Sequence, residues 1–241
     1  MLVTRPEPDA SDTAARLAAI DIEAATCPLL RHETLSTSLP DADGFGGLAI
    51  TSANALRALD ERGALDPFRK LPVYTVGNRT AEVAKEMGFS FVQSAGGSLG
   101  DLVDLLAHSG IKGPIFYPAG RDQSGDLAKS LAPFGLMVIA AQVYAMNAID
   151  ELPAQIIGEI EDSSIDAALF YSRRTAETFV RLAEGHLSRL ARLELGMLCL
   201  SETVAEPLVS AHFVRVGLAD YPSEEAMMAL ALSFARDHNA S

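Results

Sequence analysis

Six short segments place hydroxyl, amide or guanidinium side chains where an apolar run stops and an amphipathic run starts. They are Thr4-Arg5, Thr51-Ser52-Ala53-Asn54, Gly77-Asn78-Arg79-Thr80, Ala119-Gly120-Arg121, Ser172-Arg173-Arg174-Thr175 and Ser201-Glu202-Thr203. At a strand-to-helix handover the first helical N–H groups lack partners and carry the positive end of the helix dipole. With a hydroxyl and an arginine beside them, they suit the carboxylates of an acidic small molecule. The candidate binding residues are therefore Thr4, Arg5, Ser52, Asn54, Asn78, Arg79, Thr80, Arg121, Ser172, Arg173 and Thr203. Arg174 joins the arginines as a carboxylate partner. Each hydroxyl suits a plain helix cap equally well, worth about 1 kcal/mol. Both roles stay open at this level.

Other chemistries lack their residues. There is no GxxxxGKS/T loop, no GxGxxG between a strand and a helix, and no GxSxG elbow. The run Gly44-Phe45-Gly46-Gly47 comes before a strand, where a turn is its expected job. The five histidines show no metal-binding spacing, and Cys27 and Cys199 stand far apart in apolar surroundings. No metal, no nucleotide cofactor and no disulfide is expected, and the thiols point to a reducing compartment.

The 241 residues are 49% hydrophobic and 21% charged, which is a globular composition. Lys and Arg number 19 against 32 Asp and Glu, a net charge of −13. Such a chain has no electrostatic footprint for nucleic acid or an anionic membrane. A small anionic ligand stays compatible, because a few arginines and backbone amides can reverse the field locally. The first residues reach Arg5-Pro6 and turn acidic, so no secretory leader is expected, and no apolar run reaches membrane-spanning length. A soluble, cytoplasmic protein is expected. A monomer is expected too, since no extra interaction segment is evident.

The elements that must position these residues alternate as short apolar strands and amphipathic helices, the pattern of an α/β parallel sheet. Strands are expected over 1–4, 23–27, 47–51, 72–76, 89–92, 114–117, 137–141, 167–171, 197–200 and 212–216. Helices are expected over 10–19, 53–62, 79–87, 99–108, 124–132, 175–182, 203–210 and 223–237. The pattern also repeats. GLAITSANALRAL from Gly47 matches ALFYSRRTAETFV from Ala168, and VYTVGNRTAEVAKEMGF from Val73 matches MLCLSETVAEPLVSAHF from Met197. A shorter block from Leu2 matches one from Phe116, so that Asp12 meets Asp126 and Leu29 meets Val143.

The blocks run short, long, short, long. Two similar α/β lobes then follow, one of them discontinuous: 1–31 plus 149–241 as one domain and 46–142 as the other. Segments 32–45 and 143–148 are the linker strands between them, and a hinged molecule with a cleft is expected. One continuous doubly wound sheet is the alternative.

The ordered set LVTRP, ITSANAL, VYTVGNRTA, AAQVYAM, FYSRRTA and SETVAEPL resembles the uroporphyrinogen-III synthase family over nearly the whole chain. That resemblance implies two α/β lobes joined by a two-stranded linker. It also implies conversion of linear hydroxymethylbilane, a polycarboxylate tetrapyrrole, to a macrocycle with loss of water and inversion of the last ring. No metal or organic cofactor is implied. Ser52, Thr80, Ser172 and Thr203 match polar positions of the family, and Tyr144 matches its frequent tyrosine, the candidate catalytic residue. Two departures stand out: Val204 follows Thr203 where consecutive threonines are common, and Ser201-Glu202 replaces a Gly-Pro type turn. A two-lobed protein that binds an anionic small molecule without chemistry is the competing reading.

Overall fold

In a computed structural model of the chain, residues 1–123 and 125–239 are described. The first third runs β1 (Leu2–Val3), α1 (Asp9–Ala18), β2 (Ala25–Thr26), β3 (Leu30–Thr34), β4 (Gly47–Ile50), α2 (Ala53–Glu61), β5 (Val73–Thr75) and α3 (Asn78–Glu86). The middle runs β6 (Val92–Ser94), α4 (Leu99–His108), β7 (Ile115–Gly120), α5 (Leu127–Leu131) and β8 (Val138–Ala148). The last third runs α6 (Ala154–Glu161), β9 (Ala167–Phe170), α7 (Arg173–Ala183), α8 (Arg189–Glu194), β10 (Gly196–Cys199), α9 (Glu202–Ser210), β11 (Val216–Leu218) and α10 (Glu224–Asn239).

Two compact units result. The first joins Met1–Arg31 to the chain from Asn147 onward, and the second is His32–Met146. The sheet of the first unit has the order β11-β10-β9-β1-β2, and the pairings along it are parallel. Its strands alternate between two cores, as the two-residue period of an extended chain requires. Leu2, Ala168, Phe170, Met197 and Cys199 face α6, α7 and α9. Val3, Ala167, Leu169 and Leu198 face α1 and α10 through Leu17, Met227 and Ala231. A sheet covered on both sides explains why its strands read as unbroken apolar runs.

The second unit has the order β3-β8-β7-β4-β5-β6. Leu48, Ile50, Val73 and Phe116 pack with α2 and α3, while Ala49, Tyr74, Ile115 and Tyr117 pack with α4 and α5. Matching the units as the internal repeat matches them, β9, β10 and β11 answer to β4, β5 and β6, and β1 and β2 answer to β7 and β8. The strand order is then the same in both. The added strand β3 lies against the far part of β8. Leu35 N–H donates to Val143 O (2.8 Å) and Ile149 N–H donates to Leu29 O (3.0 Å), which makes the pair antiparallel.

The sequence pattern misses two helices, α6 and α8. The sequence of α6, AQIIGEIE, carries a glycine and β-branched isoleucines of modest helix propensity. Burial of Ile156 and Ile160 one turn apart stabilises it instead. The strands expected from Phe89 and His212 begin later, at Val92 and Val216, for one shared reason. Gly88 (φ 90°) and His212 (φ 65°) adopt the left-handed conformation that ends a helix. The next residue then bonds back five positions, Phe89 N–H to Ala84 O and Phe213 N–H to Leu208 O, both 3.1 Å. Each phenylalanine is the apolar lock of a helix C-terminus rather than the start of a strand. The helix expected from Ser124 begins at Leu127; Ser124 itself lies outside the described residues.

These features generate two predictions. His212 holds a left-handed conformation that costs an L-residue about 1–2 kcal/mol, whereas its counterpart is Gly88. His212→Gly is expected to raise stability by about 0.5–1 kcal/mol, after the entropy that glycine adds to the unfolded chain; an unmoved or lower urea midpoint contradicts that. Cys27 and Cys199 are both free and buried, and burial pushes the Cys199 thiol up to about 12. Neither should react with a thiol reagent at neutral pH in the native protein, and both should react in denaturant.

Candidate functional site

In each sheet the chain reverses its direction of growth at one place. In the second unit, β4, β5 and β6 are laid down one way and β7 and β8 the other, so the switch lies between β4 and β7. In the first unit it lies between β1 and β9. Crossovers leave opposite faces of the sheet at such a point, which opens a crevice outside the carboxyl ends of the two strands. The segments that follow those strands are 51–54 and 121 in the second unit, and Thr4-Arg5 and Tyr171-Ser172 in the first. The parallel sheets thus bring candidate residues from distant parts of the chain to adjacent strand ends.

At the edge of the second unit, Thr51 Oγ1 and Tyr117 Oη lie 3.2 Å apart across the switch. Ser52 caps α2, its hydroxyl accepting from Asn54 N–H at 3.3 Å. The Asn54 amide points to the Met146 sulfur (3.4 Å) and accepts from Arg57 (2.8 Å). On the neighbouring strand the cap of α3 is Gly77, so Asn78, Arg79 and Thr80 form the first turn of the helix. Arg121 donates its N–H to Tyr144 O (2.8 Å), and its guanidinium meets Glu33 only at 4.0 Å. Arg79 meets Glu82 at 3.9 Å. Both guanidiniums are half exposed.

Tyr144 stands just past the middle of β8, level with Gly120 at the end of β7. Its ring is largely covered, and the His32 ring stacks on it at 5.6 Å between centroids and 20° between planes. His32 is absent from the sequence-derived candidates. Its place beside Tyr144 follows from the antiparallel pairing of β3 with β8, which no local pattern encodes.

The first unit treats its residues differently. Thr4 is fully buried and its hydroxyl donates to Leu169 O at 2.6 Å, tying β1 to β9. Arg5 sits over the Tyr171 ring at 4.1 Å. It donates to Glu224 (2.6 Å) and Thr13 (3.1 Å) and meets Asp9 at 3.3 Å. Glu224 accepts further bonds from Tyr171 and Thr13, each 3.1 Å. Burial, then the Glu224 charge, push the Tyr171 phenol well above the usual tyrosine range, so it remains a donor. This cluster fastens the N-termini of α1 and α10 to the sheet edge, and Arg5 is its hub. Thr13, Tyr171 and Glu224 were invisible as a set because they lie 211 residues apart at the extremes.

Ser172 caps α7 through Thr175 N–H (3.2 Å), and its hydroxyl also meets that of Thr175 at 2.8 Å. Arg173 is exposed and paired with Glu177 (2.8 Å) and Glu206, which raise its pKa, Glu206 most. Thr178 donates back to the Arg174 carbonyl at 2.8 Å. Ser201 begins α9 without a side-chain cap, and Thr203 is exposed in the first turn beside Glu202.

The model of the family described as uroporphyrinogen-III synthase HemD matches residues 11–229. Among solved structures, uroporphyrinogen-III synthetase from Helicobacter pylori aligns with TM-score 0.66 at 22% identity, over 88% of this chain and 93% of that one. A mutant uroporphyrinogen III synthase from the extremely thermophilic bacterium Thermus thermophilus aligns with TM-score 0.61 at 17% identity, over 100% and 98%. At such identities these two likenesses are of fold, an α/β architecture of mostly parallel sheets. The family model spans nearly the whole chain, and the protein accordingly belongs to the uroporphyrinogen-III synthase family, enzymes of haem biosynthesis.

Proposed function

We propose that the chain is a cyclising hydro-lyase. It takes hydroxymethylbilane, removes its terminal hydroxyl as water and closes the macrocycle with the last ring inverted, giving uroporphyrinogen III. The match of the family model over residues 11–229 carries this reading. The work is done by side chains and backbone amides, with no metal or organic cofactor, by a monomer in the cytoplasm. Two buried free thiols are in keeping with a reducing compartment. Among the described residues no helix is long and apolar enough to cross a membrane.

In this reading an electron-rich pyrrole nitrogen pushes its lone pair toward the carbon that bears the hydroxyl. The C–O bond breaks and the hydroxyl departs as water once it has gained a proton. The carbon it leaves bonds to the terminal pyrrole, whose link to its neighbour breaks and re-forms at its other α-carbon as that carbon gives up its proton. Tyr144 is the donor to that hydroxyl. A phenol is protonated at neutral pH and supplies the modest acid assistance that so activated a leaving group needs. Most of the acceleration is positional, because closure requires both ends of a flexible chain to be held near each other.

The carboxylates of the substrate meet helix N-termini and arginines. Ser52, Asn78, Arg79, Thr80 and Arg121 are the candidate binding residues of the second unit, and Ser172, Arg173 and Thr203 are those of the first. Their position at strand ends and in first helical turns supports this role. Arg121 suits it best, since its guanidinium is half exposed and the Glu33 carboxylate stands 4.0 Å away. Thr4, Arg5 and Asn54 serve the edge from behind, by tying strands and helix ends in place.

Three measurements test this. Freshly generated hydroxymethylbilane closes unaided to the symmetric type I isomer. With the protein added, chromatography of the oxidised product should show type III, and an unchanged type I outcome refutes the assignment. Tyr144→Phe should slow type III formation by about 10²-fold with the fold intact, the low end of acid–base assistance; unaltered turnover removes Tyr144 from the mechanism. Arg121→Ala should raise KM by about three- to ten-fold with kcat held, most visibly at low ionic strength.

A further inference from the structure

We propose that Gly120 and His32 are positioning residues that seat the Tyr144 phenol at the carboxyl edge of the second sheet. The inference rests on the reading that Tyr144 assists the departing hydroxyl. The seat begins with a register slip. β7 and β8 pair in step from Ile115↔Val138 to Ala119↔Gln142, and then Gly120 faces Tyr144 with Val143 as the extra residue. In uninterrupted pairing Gly120 would face Val143, and neighbours 143 and 144 would point to opposite faces. Instead Val143 and Tyr144 pack into the same core. A bulge of this kind re-aims a side chain. Beyond the slip, the bond from Arg121 N–H to Tyr144 O (2.8 Å) fastens the new register.

The re-aimed ring needs space and a back wall. Space comes from Gly120, which is buried. A Cβ there would lie 2.8 Å from Tyr144 Cζ, 2.9 Å from its Oη and 3.1 Å from Cε2. The phenol therefore rests on a position that only glycine leaves open, and any side chain at 120 displaces the hydroxyl itself. The wall is His32, stacked on the ring. Its Nε2 is buried and has no hydrogen-bond partner among the described residues. An imidazole in that state acts here as a flat surface and makes no bond through Nε2. A phenylalanine would provide the same surface.

A double-mutant cycle tests the assignment. Gly120→Ala should lower kcat for type III formation by about 10- to 10²-fold with KM unchanged. In a Tyr144→Phe background the same change should cost less than about two-fold. Losses that multiply in the double variant overturn the proposal. The chain has five tyrosines and no tryptophan, so near-ultraviolet dichroism reports the tyrosine rings directly. Gly120→Ala should alter that spectrum, and the alteration should vanish in the Tyr144→Phe background; an unaltered spectrum overturns the proposal. If the spectrum changes while Tyr144→Phe turns over normally, the seat stands and the catalytic reading of Tyr144 falls. Should Gly120→Ala fail to fold, His32 decides: His32→Ala should lower kcat and His32→Phe restore it. Equal loss in both His32 variants overturns its role as a surface.

Discussion

The central parallel strands of the two sheets are buried on both faces, and the rest of the structure follows from that constraint. Covering both faces forces the chain to cross over through helices, and each crossover to a parallel neighbour runs the same way. Every strand-to-helix handover therefore lies on one edge of its sheet. Unpaired N–H groups, capping hydroxyls and first-turn arginines collect there without any of them being adjacent in sequence. The switch points between β4 and β7 and between β1 and β9 then select which handovers are neighbours. A polar strand-end edge is in this sense a by-product of burying apolar strands.

The net charge of −13 makes demands on that edge. An acidic chain that binds a polycarboxylate needs locally available positive groups. The first unit commits Arg5 to Glu224 and Asp9, and Arg173 to Glu177 and Glu206. The second leaves the Arg121 guanidinium half exposed, 4.0 Å from Glu33. In the first unit the paired Arg5 holds helix ends in place. In the second, the half-exposed Arg121 guanidinium is one that a ligand can engage at small desolvation cost.

Much of the fold was legible because it rests on periodicity. Apolar runs marked β4, β5, β7, β9 and β10, and the repeat of the segments from Gly47 and Val73 in those from Ala168 and Met197 anticipated two sheets of one design. Where reading failed, a local apolar residue had two possible jobs. Phe89 and Phe213 look like strand starts, yet they close helix ends after Gly88 and His212. Helix α6 escaped notice because its stability comes from Ile156 and Ile160 being buried, not from propensity. Among site residues, the capping positions Ser52 and Ser172 were readable from a hydroxyl before an amphipathic run. Thr4 was readable only as a hydroxyl at a strand end, and whether it faces a ligand or a neighbouring carbonyl is settled by the strand beside it.

By itself the sequence determined the family, the alternation of strands and helices, and the residue types at each strand end, because these depend on local pattern and ordered motifs. Only the tertiary structure decided which of those residues meet. Arg5 finds Glu224 from 219 residues away, His32 finds Tyr144 across an antiparallel pair, and Gly120 meets Tyr144 through a register slip. None of these follows from composition or spacing. Hydrogen-bond register is set by the packing of whole strands, and a shift of one residue exchanges every partner a side chain can have.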